Sequence, residues 1–353
     1  MYTRFHLALT ITHACNMHCT YCYAGRKGDQ PMAEQTARRA IERAVASLEP
    51  GGVLTLEFCG GEPLLAAPLV YSTTEYARYR AAVAGVTLRP ALTTNATVTG
   101  SAAWSVMTMD DLDLSVSHDG LPSAHNRHRR MADGCPSSAV VLRTIKRLLK
   151  AGVDPCVTMV VRPDALDLCS PGIAFLHSLG VRRFAPVVDL WCCWTPEDAS
   201  QLVETVAECG RLWLDGFPDV QISWFDDGVS RLVSPPPDSG RPMDTGRVAV
   251  SPSGALYPCA CLVREDADGN PARLPGQVAN GADFCGQEFI AWQQPGACAR
   301  CGVRSLSGRL PVCVELVRPG DIGQPGSLLC LFCRACAREI ARGLRFLSTR
   351  VAI

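Results

Sequence analysis

The sequence predicts an α/β fold built around a parallel sheet. Apolar runs rich in β-branched residues recur between residues 5 and 188, and a stretch with helical periodicity follows most of them. A succession of strand-then-helix units is typical of a parallel sheet with right-handed crossovers. With 353 residues, 47% of them hydrophobic, the chain can also bury a substantial core.

The predicted elements repeat at intervals of about 25 to 35 residues. The six predicted strands are 5–11, 53–58, 86–94, 112–117, 157–161 and 181–188. The predicted helices are 32–48, 138–151, 164–179 and 196–214, with a last amphipathic helix near 334–347. Ligands of parallel sheets bind at the carboxyl ends of the strands. Because the unusual motifs of this sequence directly follow predicted strands, we expect them to lie at one rim.

Composition and charge exclude several classes of function. Lys plus Arg equals Asp plus Glu, at 34 each, so no global field draws the protein to nucleic acid or to an anionic membrane. No secretory signal opens the sequence, and no run is apolar for the roughly 20 residues of a membrane span, which predicts a cytoplasmic protein. A reducing cytosol disfavours disulfides, so the 19 cysteines are expected to bind metal or to act in catalysis.

The stretch ITHACNMHCTYCYAG, residues 11–25, places Cys15, Cys19 and Cys22 directly after the first strand. A cubane iron–sulfur cluster that only carries electrons normally receives four cysteines. Three thiols therefore leave one iron open for another ligand. The alternative is a zinc site completed by His13 or His18.

The Cys-x3-Cys-x2-Cys spacing resembles the signature of the radical S-adenosylmethionine (SAM) superfamily. Three further motifs extend the resemblance: CGGEP (59–63), TTN (93–95) and SHDG (117–120) followed by AHNRHR (124–129). The resemblance implies that the amino and carboxylate groups of SAM chelate the open iron of a 4Fe-4S cluster. The residues it implies around SAM are Tyr21, Gly60, Gly61, Glu62, Asn95, Ser117 and Arg129. Taken singly, Ser117 and Asn95 also fit ordinary turn caps.

Nine of the cysteines fall between residues 259 and 336. SPSGALYPC (251–259) resembles the Gly-x4-Cys element of SPASM and twitch domains, and CARC (298–301) resembles the start of the SPASM cysteine pattern. The sequence departs from that pattern at Ser307 and Met243, where cysteines are expected, and the fourth cysteine of the run is displaced to Cys313. It carries extra thiols at Cys261, at Cys285 and in CLFCRAC (330–336). The resemblance implies a remodelled SPASM domain with two auxiliary 4Fe-4S clusters. The predicted ligands are Cys259, Cys261, Cys298, Cys301, Cys313, Cys330, Cys333 and Cys336.

Two alternatives stay open for this region. One is a twitch-like domain with a single auxiliary cluster, and the other is a zinc ribbon made by the two Cys-x2-Cys pairs at 298–301 and 330–333. The predicted domains are a partial (β/α)6 barrel over 1–215, a linker over 216–244 that contains SPPPDSGRP, and a SPASM-like domain over 245–353.

The stretch DLWCCWTPED, residues 189–198, follows the sixth strand. Adjacent side chains point to different sides of the chain, so at most one of Cys192 and Cys193 is expected to face the barrel interior. There a thiol would donate a hydrogen atom to a substrate radical or ligate a cluster. The alternative is a small buried hydrophobic residue between two tryptophans.

The function that the resemblance implies is that of a radical SAM enzyme. Such an enzyme cleaves SAM to a 5′-deoxyadenosyl radical and abstracts hydrogen from a peptide or protein side chain, with crosslinking, thioether formation, epimerisation or oxidation as open outcomes. Because Cys15 lies so early in the chain, a separate recognition protein would bring the peptide, or the substrate is a small-molecule natural-product precursor. A flavodoxin or ferredoxin is the implied electron donor. The competing class, a non-catalytic iron–sulfur or zinc binding module, has no need of the GGEP, TTN and SHDG motifs.

Overall fold

The computed structural model describes residues 1–233, 245–285, 301, 303 and 326–351. The chain divides into two compact units. The first unit comprises Met1–Ser117, Arg129–Pro155 and Ser239–Ala291, and the second comprises His118–His128, Cys156–Asp238 and Trp292–Ile353.

The regular elements alternate between strand and helix along most of the described chain. The strands are β1 (Tyr2–Thr12), β2 (Leu48–Gly60), β3 (Thr87–Thr94), β4 (Asp113–Ser117), β5 (Cys156–Val161), β6 (Arg183–Val188), β7 (Gln221–Ile222), β8 (Thr245–Val250), β9 (Ala255–Tyr257) and β10 (Leu274–Gln277). The helices are α1 (Glu34–Ala46), α2 (Ala67–Ala84), α3 (Ser101–Met107), α4 (Pro122–His128), α5 (Ser138–Lys150), α6 (Cys169–Ser178), α7 (Pro196–Asp215), α8 (Ser223–Val233) and α9 (Leu328–Val351). All six predicted strands are present.

In the first unit the strands lie in the order β10, β9, β8, β1, β2, β3, β4. β1 pairs in parallel with both β2 and β8, whereas β9 runs antiparallel to β8 and to β10. One face of each of the two central strands is fully buried: Leu7 and Leu9 of β1 and Leu54 and Leu56 of β2 have no exposed surface. The intervening residues of β2, Thr55 and Glu57, are half-buried. The register pairs Thr12 with Gly60, so the carboxyl ends of β1 and β2 lie side by side.

In the second unit β5, β6 and β7 are parallel neighbours. The helix α9 packs on α7 and α8 of the same unit, and the ring of Phe332 meets Trp224 edge-on at 5.2 Å between centroids. Gly210 of α7 leaves room for Glu339 of α9, because a Cβ on Gly210 would lie 2.7 Å from Glu339 Cγ. The last helix starts at Leu328, earlier than predicted, and several of its apolar residues, including Leu329 and Ile340, are buried.

Two predictions about individual segments need correction. The predicted helix 164–179 is divided: a 3-10 helix covers Pro163–Leu168, Ala165 departs from helical geometry with φ −143°, and α6 follows. Residues 216–233, predicted as part of a linker, carry β7 and α8, because the amphipathic sequence of α8 provides an apolar face. The rest of that linker, 234–244, lies outside the described residues, and the domain boundaries stay a prediction.

Within the part of the chain that the structure describes, no helix combines the length and the apolar character needed to cross a membrane.

Candidate functional site

The three motif cysteines lie in the segment 13–33 between β1 and α1, called here the thiol loop. Cys15 and Cys19 are half-buried and Cys22 is exposed. The ammonium of Lys27 donates a hydrogen bond to Cys22 Sγ at 2.9 Å. Burial lowers the pKa of Lys27, but the hydrogen bond to Cys22 and the charges of all three thiols raise it above its usual value. Lys27 is therefore a cation within the thiol loop that contacts Cys22.

The thiol loop is fastened to the end of β2 through backbone contacts that require glycine. Gly61 N donates to Thr12 O at 2.7 Å, and Glu62 N donates to Ala14 O at 2.8 Å. A Cβ on Gly61 would lie 2.2 Å from Ala14 O. Gly60 has φ +139°, and a Cβ there would lie 2.4 Å from Thr12 O. Only residues without a Cβ permit this approach and this backbone conformation.

Glu62 braces the ends of two strands. Its carboxylate has no exposed surface and accepts hydrogen bonds from Leu64 N at 3.0 Å, Thr94 Oγ1 at 2.7 Å and Asn95 N at 2.7 Å. Burial raises the pKa of Glu62, and the three hydrogen bonds offset only part of that rise. The structure thus gives Glu62, predicted to lie near SAM, a clear role in holding the residues after β3 against the end of β2.

Asn95 joins the segment after β3 to the thiol loop. Its Nδ2 donates to Asn16 Oδ1 at 3.0 Å and lies 3.9 Å from Cys15 Sγ. Asn16 in turn donates to Thr97 Oγ1 at 2.8 Å. Sequence reasoning identified Asn95 but missed Asn16 and Thr97. Asn16 adjoins the motif, yet nothing in the sequence signals its pairing with a residue 81 positions away.

Arg129 and Tyr21, both predicted SAM-side residues, are neighbours in the structure. The guanidinium of Arg129 lies 5.2 Å from the centroid of the Tyr21 ring, a cation–π distance. Arg129 is 7% exposed, and its carbonyl accepts a hydrogen bond from Ser137 Oγ at 2.6 Å. Ser117 is also buried, at the carboxyl end of β4. The structure therefore gathers Tyr21 and Arg129 and places Ser117 at a strand end.

The Asp and Gly of the SHDG motif belong to the second unit and shape its first loop. Asp119 Oδ1 accepts a hydrogen bond from Val160 N at 2.9 Å. Gly120 has φ +78°, and a Cβ there would lie 2.6 Å from the Cα of Gly172. The rings of His118 and His125 stack at 4.1 Å between centroids. These contacts give Asp119 and Gly120 a role in fixing the start of α4.

The tryptophan turn, defined as residues 189–195, follows β6 in the second unit. Cys192 is half-buried and donates a hydrogen bond from its thiol to Asp189 O at 3.3 Å, whereas Cys193 is exposed. The two adjacent thiols thus differ in exposure. Neither is among the most buried cysteines of the chain, such as Cys209.

The C-terminal thiols divide between the two units. In the first unit, Cys259 and Cys261 are half-buried and their Sγ atoms are 3.2 Å apart. In the second unit, Cys330 and Cys333 lie half-buried on α9, and Cys336 is buried on the same helix. Burial and the charge of Cys333 raise the pKa of Cys336.

The other predicted auxiliary ligands are described only in part. Cys301 is half-buried in the second unit, and Cys298 and Cys313 lie outside the described residues. Of the side chains that the structure describes, no three from His, Cys, Asp and Glu are arranged to hold a single metal ion. The auxiliary ligand set stays a prediction.

Comparison with known proteins decides the family. Residues 9–165 match the Radical SAM superfamily. The chain is also 30% identical over 296 residues to GTP 3′,8-cyclase of Xanthomonas axonopodis pv. citri (strain 306), a match that covers 77% of this chain and 84% of that protein. The chain belongs to the radical SAM superfamily.

This radical SAM protein is also similar in sequence to a sulfatase-maturating enzyme and similar in fold to a solved structure. It is 30% identical over 195 residues to the serine-type anaerobic sulfatase-maturating enzyme of Klebsiella aerogenes, covering 52% of this chain and 47% of that enzyme. Its fold matches that of native anSMEcpe with bound AdoMet and Cp18Cys peptide, with a TM-score of 0.77, 17% identity and 99% of each chain covered. The matched segment spans about half of the sulfatase-maturating relatives and 61% of an archaeal one.

These findings confirm the predicted family, the α/β fold, the enzyme class and the family's cofactors, a 4Fe-4S cluster and SAM. The residues of the site fit a 4Fe-4S cluster together with SAM. Cys15, Cys19 and Cys22 form a soft, three-membered donor set, and Gly60 and Gly61 keep the adjoining backbone free of side chains. The assignment of individual residues to cluster and SAM stays a prediction.

Proposed function

We propose that this radical SAM enzyme abstracts a hydrogen atom from a peptide or protein side chain. When bound, the cluster and SAM supply a 5′-deoxyadenosyl radical, which removes hydrogen from an unactivated carbon. The single observation that carries the proposal is the thiol loop, which contains the three cysteines and Lys27 and is hydrogen-bonded to the turn that begins with Gly60 and Gly61. Three thiolates leave one coordination position for SAM.

The remaining residues of the site bind, orient and hold. Asn95 lies beside Cys15 and supplies an amide to the SAM side, and Arg129, stacked near Tyr21, supplies a positive charge for a carboxylate. Ser117 supplies a hydroxyl at the end of β4. Glu62 positions these residues but does not itself bind SAM, because its carboxylate oxygens already accept hydrogen bonds from Leu64, Thr94 and Asn95.

The likeness to sulfatase-maturating enzymes and to a peptide-bound structure supports a peptide substrate. The proposal includes one or two auxiliary 4Fe-4S clusters held by the C-terminal cysteines, a one-electron donor of the flavodoxin or ferredoxin class, and a location in the cytoplasm. It also assigns to the tryptophan turn the delivery of a hydrogen atom to the substrate radical. The bond finally made, whether crosslink, thioether, epimer or oxidised side chain, depends on the peptide.

The test uses anaerobically reconstituted protein with SAM and a strong reductant. We expect slow release of 5′-deoxyadenosine without substrate and faster release with a cognate peptide, found among short reading frames beside the gene. The variant with Cys15, Cys19 and Cys22 replaced by Ala is the control and should release none. Undiminished release from that variant would contradict the proposal.

A second candidate, a small-molecule substrate, is favoured by one observation. The 30% identity with GTP 3′,8-cyclase covers 77% of this chain, more than the 52% covered by the sulfatase-maturating relative. Adding GTP and other nucleotides to the same assay distinguishes the two candidates. Stimulation of 5′-deoxyadenosine release by a nucleotide, with none by any peptide, would replace the peptide proposal with this one.

A further inference from the structure

Asp189 makes an unusual number of contacts for a residue at the end of a strand. It directly follows β6, and its side chain is only 3% exposed. Its Oδ2 accepts a short hydrogen bond from Arg162 Nη1 at 2.5 Å, and its Oδ1 accepts one from Trp191 N at 2.9 Å. Its own backbone N–H donates to Val161 O at 2.9 Å. The residue is therefore tied to the end of β5 as well as to the turn that follows it.

The carbonyl of Asp189 holds two further side chains of the tryptophan turn. It accepts hydrogen bonds from Trp194 Nε1 at 2.7 Å and from the thiol of Cys192 at 3.3 Å. Trp191, Cys192 and Trp194 are thus all bonded to Asp189. Cys193, between them, is exposed.

We infer that Asp189 is a positioning residue, which fixes the tryptophan turn so that the thiol of Cys193, and not that of Cys192, is presented to the substrate. This inference rests on the proposed function, in which the turn delivers a hydrogen atom. The S–H bond of Cys193 breaks as a C–H bond forms on the substrate radical. The resulting thiyl radical regains one electron from the low-potential one-electron donor and one proton from water.

The ion pair explains why the anchor is an aspartate. A carboxylate this buried is strongly destabilising unless a cation faces it, and Arg162 supplies that cation from the first residue after β5. The pair links the carboxyl ends of two adjacent parallel strands, the edge where ligands of such sheets bind. A turn anchored at two strand ends is held in one conformation.

Alkylation kinetics of the two thiols test the geometry. The reconstituted protein is treated anaerobically with iodoacetamide, and tandem mass spectrometry separates Cys192 from Cys193. We expect Cys193 to react about tenfold faster, because Cys192 is less exposed and its thiol is hydrogen-bonded. In Asp189→Ala the ratio should fall to within about twofold, and Asp189→Asn, which still accepts from Trp191 N, should give an intermediate ratio.

The matched control is Asp164→Asn. Asp164 also faces Arg162, at 3.4 Å from its Nε, but its side chain is 44% exposed, and its carboxylate pairs with Arg162 and His128, which both lie outside the tryptophan turn. The alkylation ratio should not change in this variant. An unchanged ratio in Asp189→Ala, with iron content and circular dichroism equal to the parent, would overturn the inference. If that variant does not fold, the double variant Asp189→Ala, Arg162→Met also removes the cation that has lost its Asp189 partner, and it is measured in its place.

A separate experiment tests the hydrogen-donor role of Cys193. With a substrate, Cys193→Ala and Asp189→Ala should lower the ratio of modified product to 5′-deoxyadenosine, whereas Cys192→Ala should keep the parental ratio. Coupled yields in Cys193→Ala would overturn the hydrogen-donor role. If the parent protein releases no 5′-deoxyadenosine at all, the proposed function fails, and the alkylation ratios still decide whether Asp189 positions the turn.

Discussion

One buried carboxylate, that of Glu62, lies at the end of β2 beside the thiol loop, and another, that of Asp189, holds the tryptophan turn after β6, but the two carboxylates are stabilised differently. Glu62 accepts from three uncharged donors, the backbone N–H groups of Leu64 and Asn95 and the hydroxyl of Thr94. Asp189 faces the guanidinium of Arg162. One anchor depends on close backbone geometry, and the other depends on an ion pair.

This difference has a physical reason. The carboxyl end of β2 contacts the thiol loop through glycines. The neighbouring backbone supplies N–H groups that donate hydrogen bonds directly to the carboxylate of Glu62. The end of β6 has no such glycines. The turn is held instead by the charged side chain of Arg162, which follows the neighbouring strand β5. We therefore expect the thiol loop to be sensitive to changes in shape and the tryptophan turn to changes in charge.

The largest expected effect separates the two sets of thiols. Replacing Cys15, Cys19 and Cys22 with Ala should remove about four irons per chain and abolish SAM cleavage, because the proposed function assigns to these three thiolates the cluster that binds SAM. Replacing Cys192 and Cys193 together should leave the iron content unchanged. Iron analysis and 5′-deoxyadenosine release measure both. A loss of iron in the second variant would show that the tryptophan turn also ligates a cluster.

A change of shape at the first anchor comes next. In Gly61→Ala the new Cβ would lie 2.2 Å from the Ala14 carbonyl, so β2 and the thiol loop must separate. We expect a loss of about 3 kcal/mol in the free energy of unfolding and reduced iron incorporation.

The matched control lies in the thiol loop itself. In Gly28→Ala the Cβ would lie 3.8 Å from the His13 Cβ, an ordinary contact distance, and stability should change by less than about 0.5 kcal/mol. Urea denaturation of the two variants compares them directly. Equal stability of Gly61→Ala and the parent would show that the glycine contact does not anchor the loop.

The third prediction concerns pH. Because burial raises the pKa of Glu62, the folded state keeps its proton to higher pH than the unfolded chain does. Stability therefore falls as the pH rises from the ordinary pKa of a glutamate toward the raised one. Glu62→Gln cannot titrate, and its amide places an N–H donor against the N–H of Asn95. We expect the variant to lose about 1 to 2 kcal/mol in the free energy of unfolding at acid pH, and less as the pH rises. Urea midpoints over a pH series measure the gap.

Glu42 provides the control of opposite sign. The hydrogen bond from the Tyr76 hydroxyl lowers the pKa of Glu42, and burial opposes it only in part. The stability that Glu42 contributes is thus present above its ordinary pKa and is lost as the pH falls through the lowered one. The gap between the parent and Glu42→Gln should widen as the pH rises. Parallel pH profiles for the two variants would contradict the assignment of Glu62.

Much of this arrangement follows from local sequence. The six predicted strands are present because each contains a short run of apolar and β-branched residues, of which at least every second one is buried, and such runs are easily recognised in the sequence. The Cys15, Cys19 and Cys22 spacing and the GGEP turn identify the candidate site, since glycines with a steric role stand next to one another in the chain.

The rest depends on contacts between distant segments. Asn16 meets Thr97 across 81 positions, and Arg162 meets Asp189 across 27, so neither pair is visible before the strand register is known. The sequence does not predict a role for Lys27, because a lysine in a loop normally faces solvent. The helix α8 was not predicted either, because the proline-rich segment after it led to the prediction of a linker.

The smallest expected effect tests whether the tryptophan turn is anchored by Asp189 or by the helix after it. The turn ends at Thr195, the N-cap of α7, whose hydroxyl accepts from Asp198 N at 3.1 Å while Asp198 Oδ2 accepts from Thr195 N at 2.8 Å. Thr195→Ala removes one half of this capping box and should cost about 1 kcal/mol, measured by urea denaturation. Thr195→Ser should retain most of that stability, and Ser200→Ala, on the exposed face of the same helix, should change it by less than about 0.5 kcal/mol.

The decisive measurement in Thr195→Ala is the alkylation ratio of Cys193 to Cys192. If the Arg162–Asp189 pair sets the shape of the turn, the weakened cap lowers the stability of α7 but leaves that ratio as in the parent, because none of the hydrogen bonds to Asp189 involves Thr195. If the ratio falls in Thr195→Ala as far as in Asp189→Ala, the helix cap contributes as much as the ion pair. The turn would then be held by local backbone geometry, as the thiol loop is, and the contrast between the two anchors would be lost.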